Sequence, residues 1–216
     1  MFKDVAAGFV PNIANQLQNT DTEIIVREAR TVADATLRRV PGKSKDVAPK
    51  RTVLGDVITR DNPGGILGST LNPFYVSKVK NDAVDNELAK LGHGFKMPSK
   101  KLFNIPNIDL TKIASTKGKY DTYDRWMELR GTVKIGNKTL RQRLKDLIGK
   151  ESYQKLADED YYDSTAMKSP KIKAITEIIN RYSSKARFEL MKETPELQEK
   201  YKEAMRTKRD YLQNKL

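Results

Sequence analysis

The chain has 216 residues with 41 Lys or Arg, 28 Asp or Glu, a formal net charge of +13 and no cysteine. Disulfide frameworks and thiolate zinc sites are excluded, and a 38% hydrophobic content allows only a thin core, or one shared with other chains. No apolar run approaches the ~18 residues of a membrane helix, so no integral membrane segment is expected. Asp4, Asn12, Asn15 and Gln16 likewise interrupt anything that would read as a signal peptide.

In chain order, residues 2–39 read as helical. Pro11 follows Gly8-Phe9-Val10 and suits the first turn of a helix carrying Ile13 and Leu17 on one face. Thr20 or Asp21 is expected to cap a second helix reaching Arg39, with Ile25, Ala29, Val32 and Thr36 at helical spacing, ended by Val40-Pro41-Gly42. Between 41 and 120, six prolines and eight glycines rule out one regular element. Thr52-Val53-Leu54, Val57-Ile58 and Phe74-Tyr75-Val76 read there as extended segments draped over helices. One helix is expected inside this stretch, capped by Asp82, with Val84, Leu88 and Leu91 on one face and Gly92 as its stop.

The final third is more regular. Thr122 is expected to cap a helix bearing Tyr123, Trp126, Met127 and Leu129 and ended by Gly131. Gly136-Asn137 tolerates positive φ and predicts a tight turn, with a short strand pair around it. Thr139 opens a helix with Leu140, Leu144, Leu147 and Ile148, stopped by Gly149. Ser169-Pro170 is a cap followed by proline at the first helical position, and Ile172, Ile175, Ile178, Ile179, Tyr182 and Ala186 form one stripe after it. Thr194-Pro195 repeats the device, followed by Leu197, Tyr201, Ala204, Met205, Lys208, Tyr211 and Leu212. The last two helices form a hairpin, or extend as a stalk of about 30 Å each.

The expected fold is therefore mainly α: short to medium helices joined by long Pro/Gly-rich extended segments and ending in two long helices. Its segments are N-terminal helices over 1–40, an extended region with one short helix over 41–120, a small helical region over 121–168, and a helical pair or stalk over 169–216.

The positive charge is spread, at +3 over residues 1–60, +4 over 61–120, +1 over 121–168 and +5 over 169–216. A diffuse excess gives salt-sensitive attraction to polyanions without placing a base-reading element. Its densest stretch, Arg38, Arg39, Lys43, Lys45, Lys50 and Arg51, is the candidate contact for phosphates or an acidic partner, and it has no aromatic residue for base stacking. An ordinary solvated basic surface is the plainer alternative.

Catalytic chemistry finds little footing. The one histidine, His93, sits between Gly92 and Gly94, and no serine stands in a Gly-x-Ser-x-Gly elbow. Gly64-Gly65-Ile66-Leu67-Gly68-Ser69-Thr70 has no lysine before its hydroxyls and does not follow a strand, so a phosphate loop is not expected. Asp158-Glu159-Asp160-Tyr161-Tyr162-Asp163 lacks the spacing and glycine of a calcium loop and reads as an exposed acidic terminus. No catalytic residue, cofactor or metal is expected. Tyr182, Met191, Tyr201, Met205 and Tyr211 are a candidate partner-helix stripe, balanced against an intramolecular helix pair.

The order of the punctuation carries one further signal. Gly8-Phe9-Val10-Pro11, Arg39-Val40-Pro41-Gly42, Leu54-Gly55-Asp56, Leu71-Asn72-Pro73, Glu87-Leu88-Ala89-Lys90-Leu91-Gly92 and Tyr123-Asp124-Arg125-Trp126-Met127-Glu128-Leu129 follow one another at set spacing. This succession resembles the carboxy-terminal region of the large polyvalent proteins of tailed bacteriophages, which overlap with the internal virion, or ejection, proteins of short-tailed phages. It covers roughly residues 8–157 and extends more loosely to the helical region with Tyr182 and Arg187. The resemblance implies a non-enzymatic virion protein, held inside the capsid or near the portal and tail after assembly in the host cytoplasm. Its implied partners are its own copies, portal, tail and ejection proteins, and non-specifically bound DNA.

Overall fold

The computed structural model describes residues 23–30, 32–37, 43–61, 77–78, 82–91, 95–102, 105, 108–157 and 169–213. The protein is mainly helical, as the sequence predicts, and ends in two long helices. It divides into two compact units, one of residues 1–52 and 57–80, the other of residues 53–56 and 81–216.

In the first unit, β1 (Glu23–Ile25), α1 (Val32–Leu37), β2 (Thr59–Asp61) and β3 (Ser77–Lys78) follow in order, and the strands form an antiparallel sheet ordered β1-β2-β3. Ile24 pairs with Arg60, and Thr59 pairs with Lys78. Beyond β1 the backbone stays extended: the Val26 N–H donates to Ile58 O, and the Glu28 N–H donates to Ala48 O. The helix expected from Thr20 or Asp21 to Arg39 is thus corrected, since helix begins only at Val32. The β-branched run Ile24-Ile25-Val26 resists helix and fits a pleated ladder, and cross-strand bonds outweigh the 3.6-residue spacing. Val32, placed on the apolar stripe by that spacing, is 86% exposed. Asp34 in the first turn of α1 accepts from the Arg30 N–H at 3.0 Å, tying the helix to the chain before it.

The second unit holds α2 (Ala83–Lys90), α3 (Thr122–Thr132), α4 (Leu140–Ile148), α5 (Glu151–Gln154), α6 (Pro170–Glu193) and α7 (Pro195–Gln213). Local signals set most boundaries. Asp82 accepts from the N–H groups of Val84 and Asp85, and Thr139 forms a reciprocal box with Gln142. Ser169 caps α6 with Pro170 at its first position. Gly136 and Asn137 both have positive φ, closing the turn bridged by Ile135 and Lys138.

Two details around α3 differ from expectation. Asp121 is its cap, accepting from the Asp124 N–H, whereas the Thr122 hydroxyl donates to Leu110 O at 2.6 Å in the interior. Gly131 lies within α3 rather than ending it, and it packs against the chain at Leu54, where a Cβ would stand 3.3 Å from the Leu54 carbonyl oxygen.

Two apolar clusters form the core of this unit. Leu102, Ile108, Leu110, Trp126, Met127 and Leu129 meet Ala186, Leu190 and Leu197 in one. Leu54, Val84, Leu140, Leu144 and Tyr153 meet Ile175, Ile179 and Tyr182 in the other. α6 runs through both, its first half serving one cluster and its second half the other. Its stripe buries five of the six predicted positions, with Ile178 half-buried. α7 joins the first cluster through Leu197, with Tyr201 and Ala204 packed beside it, and residues 205–210 are all exposed.

Candidate functional site

The sequence around α3 and α6 builds a cationic pocket. Trp126 and Arg130 are one helical turn apart on α3, and Ile179, Asn180, Ser183 and Arg187 recur at helical spacing on α6. The indole N–H of Trp126 donates to Ser183 O at 3.2 Å, locking the two helices together. The segment 96–101 forms a further wall, anchored where the Tyr123 hydroxyl donates to Pro98 O at 3.1 Å and the Leu110 N–H donates to Lys100 O.

The pocket, about half open to solvent, measures about 430 Å³. Lys96, Lys101, Arg130 and Arg187 line it, and among the described lining residues there is no carboxylate. Lys96 and Lys101 are exposed at the rim and Arg187 is half-buried. Arg130 is 1% exposed. One Arg130 Nη donates to Met127 Sδ at 3.3 Å, and its Nε is buried without a hydrogen-bond partner among the described residues. Both guanidiniums face the Trp126 ring, at 5.9 Å for Arg130 and 5.0 Å for Arg187.

This arrangement is electrostatically incomplete. A desolvated cation costs several kcal/mol, and a desolvated cation–π contact returns about 2 kcal/mol or somewhat more. Burial pulls the Arg130 guanidinium down to about 10, where Tyr123 opposes that shift and Arg187 adds to it. Burial lowers Arg187 as well. Two other arginines of this unit meet carboxylates: Arg141 reaches Asp56, Asp82 and Asp85 at 2.5, 2.5 and 2.8 Å, and Arg125 holds Glu193 at 2.9 Å. Arg130 has no such carboxylate partner among the described residues.

The residues singled out by sequence fall elsewhere. Of the basic cluster, Lys43, Lys45 and Lys50 are exposed, Arg51 is half-buried, and Arg38 and Arg39 lie outside the described residues. In the aromatic stripe, Tyr182 is 1% exposed and its hydroxyl donates to Lys138 O at 2.7 Å, so it serves the fold. Met191 and Tyr201 pack beside the first cluster, Met205 is 43% exposed, and the Tyr211 side chain lies outside the described residues. His93, the 64–70 glycine segment and the acidic stretch 158–163 also lie outside them. Among the described residues no group of acidic or histidine side chains is placed to hold a metal, and no helix is long and apolar enough to cross a membrane.

Sequence spacing alone contains the Trp126-x-x-x-Arg130 pair, but nothing local distinguishes a buried arginine from one reaching solvent. Comparison with family models, curated proteins and solved structures gives no match.

Proposed function

We propose that this protein is a non-enzymatic structural component of a bacteriophage virion. It packs on its own copies or on portal, tail and ejection proteins beside packaged DNA. The observation that carries the reading is the concentration of cations, with no carboxylate among the described lining residues, around the pocket of α3 and α6 in a chain of net charge +13. Such a chain suits a polyanionic neighbourhood, where diffuse positive charge lowers the free energy of association without base recognition. The ordered motifs that resemble phage polyvalent proteins support the virion setting. Leu54-Gly55-Asp56, one of those motifs, has a structural duty compatible with this reading, since Gly55 seats the chain against α3 and Asp56 pairs with Arg141.

A second reading, a sequence-independent DNA-binding accessory module, is favoured by the exposure of Lys43, Lys45 and Lys50. Size-exclusion chromatography with light scattering, with and without duplex DNA at low and moderate salt, separates the two. A discrete oligomer indifferent to DNA is expected. A monomer that shifts only with DNA at low salt would replace the first reading with the second.

A further inference from the structure

We infer that the pocket between α3 and α6 is a binding site for a phosphate monoester, with Arg130 as its innermost ligand and Arg187 and Lys101 completing the anion's surroundings. The inference rests on the pocket alone and stands independently of the virion reading.

Three observations select this chemistry. First, Arg130 is 1% exposed yet leaves its Nε without a hydrogen bond among the described residues, so the fold satisfies this cation only in part. Guanidinium is the side chain best matched to phosphate oxygens, through paired N–H groups in a fixed fork. Second, four cations and no described carboxylate line the cavity. A buried Arg130 among further cations favours a dianion over a monoanionic carboxylate, and it disfavours neutral sugars or peptides, which would leave the Arg130 charge uncompensated. Ser99 adds a hydroxyl at the rim, where its oxygen accepts from the Lys101 N–H and its proton remains to donate.

Third, the size of the pocket favours an esterified phosphate. The cavity of about 430 Å³ falls within the range of small-molecule sites and exceeds what one inorganic phosphate fills. Room therefore remains for an esterified organic group. A phosphodiester inside a continuous duplex is flanked by sugars on both sides, whereas a terminal phosphate presents three free oxygens to a guanidinium fork. The shared chemistry is thus a monoester, which a free nucleotide or a 5′-phosphorylated DNA end supplies.

The single tryptophan makes the site directly readable. Trp126 stacks against both arginines, so its fluorescence reports occupancy. The full chain, in phosphate-free buffer of constant ionic strength, is titrated with adenosine monophosphate, inorganic phosphate, acetate, and an oligonucleotide with or without a 5′-phosphate. A saturable change is expected with adenosine monophosphate below millimolar concentration, a weaker one with phosphate, and none with acetate. Arg130→Met is expected to weaken binding about tenfold or more while melting no lower than wild type without ligand, because it removes an uncompensated buried charge. Arg187→Met, at a half-buried position, is expected to weaken binding also and decides the matter if Arg130→Met does not fold. A response to the 5′-phosphorylated oligonucleotide and not to its 5′-hydroxyl form assigns the source to DNA ends, and a response to the mononucleotide alone assigns it to free nucleotides. The inference is overturned if no probe gives saturation at millimolar concentration, if acetate matches the phosphates, or if both arginine variants bind like wild type.

Discussion

Gly55 passes so close to Met127 that a Cβ on Gly55 would stand 2.2 Å from the Met127 carbonyl oxygen and 2.9 Å from the Gly131 nitrogen. Its φ of +95° adds a backbone conformation that side chains rarely adopt. Gly55→Ala is therefore expected to destabilise the protein by about 3 kcal/mol, combining backbone strain with displacement of α3. Urea unfolding followed by Trp126 fluorescence measures it, and a loss below ~1 kcal/mol would mean that the loop moves away freely.

Arg141 gathers Asp56, Asp82 and Asp85, tying the 53–56 segment and the start of α2 to α4. Its side chain is 24% exposed, so the pairs lie between surface and interior cases. Arg141→Met removes all three contacts at once and leaves Asp85, whose side chain is 11% exposed, without its cation. The expected cost is about 2–3 kcal/mol, below that of a fully buried pair. If thermal unfolding shifts by no more than a surface substitution would, the triad contributes only local order.

The Arg125–Glu193 contact predicts a pH dependence. Arg125 donates to both Glu193 oxygens, at 2.9 and 3.0 Å, and this bonding holds the Glu193 carboxyl below its ordinary 4.5. A folded value below the unfolded one gives stability that is fully present above pH 4.5 and is lost as pH falls through the folded value. Glu193→Gln is expected to lower stability at neutral pH by about 1 kcal/mol and to flatten the acid side of the stability curve. Parallel curves for variant and wild type between neutral and acid pH would remove Glu193 from the acid response.

Tyr182 and Met205, members of one proposed stripe, are expected to behave differently. Tyr182→Phe removes one of two donors to the Lys138 carbonyl, which keeps the Ile135 N–H, and costs about 1 kcal/mol, with no change in mass by light scattering. Met205→Glu, at a position 43% exposed, is expected to change stability by less than about 0.5 kcal/mol and to reduce the oligomer if α7 carries the self-contact of the virion reading. An oligomer of unchanged mass would place that contact away from Met205.

Much of the helical scaffold is legible because capping is local. Asp82, Thr139 and Ser169-Pro170 meet N–H groups two or three residues away, and Gly136-Asn137 closes its turn within four residues. The α6 stripe is equally readable, since a continuous helix turns spacing directly into a buried face. Glu23–Ile25 is not, because its pairing partners, Thr59–Asp61, lie far along the chain and the same residues also satisfy a helical period.

The sequence by itself determined a basic, cysteine-free, mainly helical chain with two long final helices, since composition, caps and periodicity act over a few residues. Only the tertiary structure decided that Gly55 serves close packing, that the Tyr182 hydroxyl bonds to Lys138 O, and that Arg130 is buried against Trp126 with its Nε unpartnered among the described residues. Each of these depends on segments tens of residues apart, as in the Trp126–Ser183 bond that spans 57 positions. Burial and charge compensation are properties of that assembled neighbourhood, so an arginine at helical spacing acquires its anion-seeking character only when α3 and α6 meet.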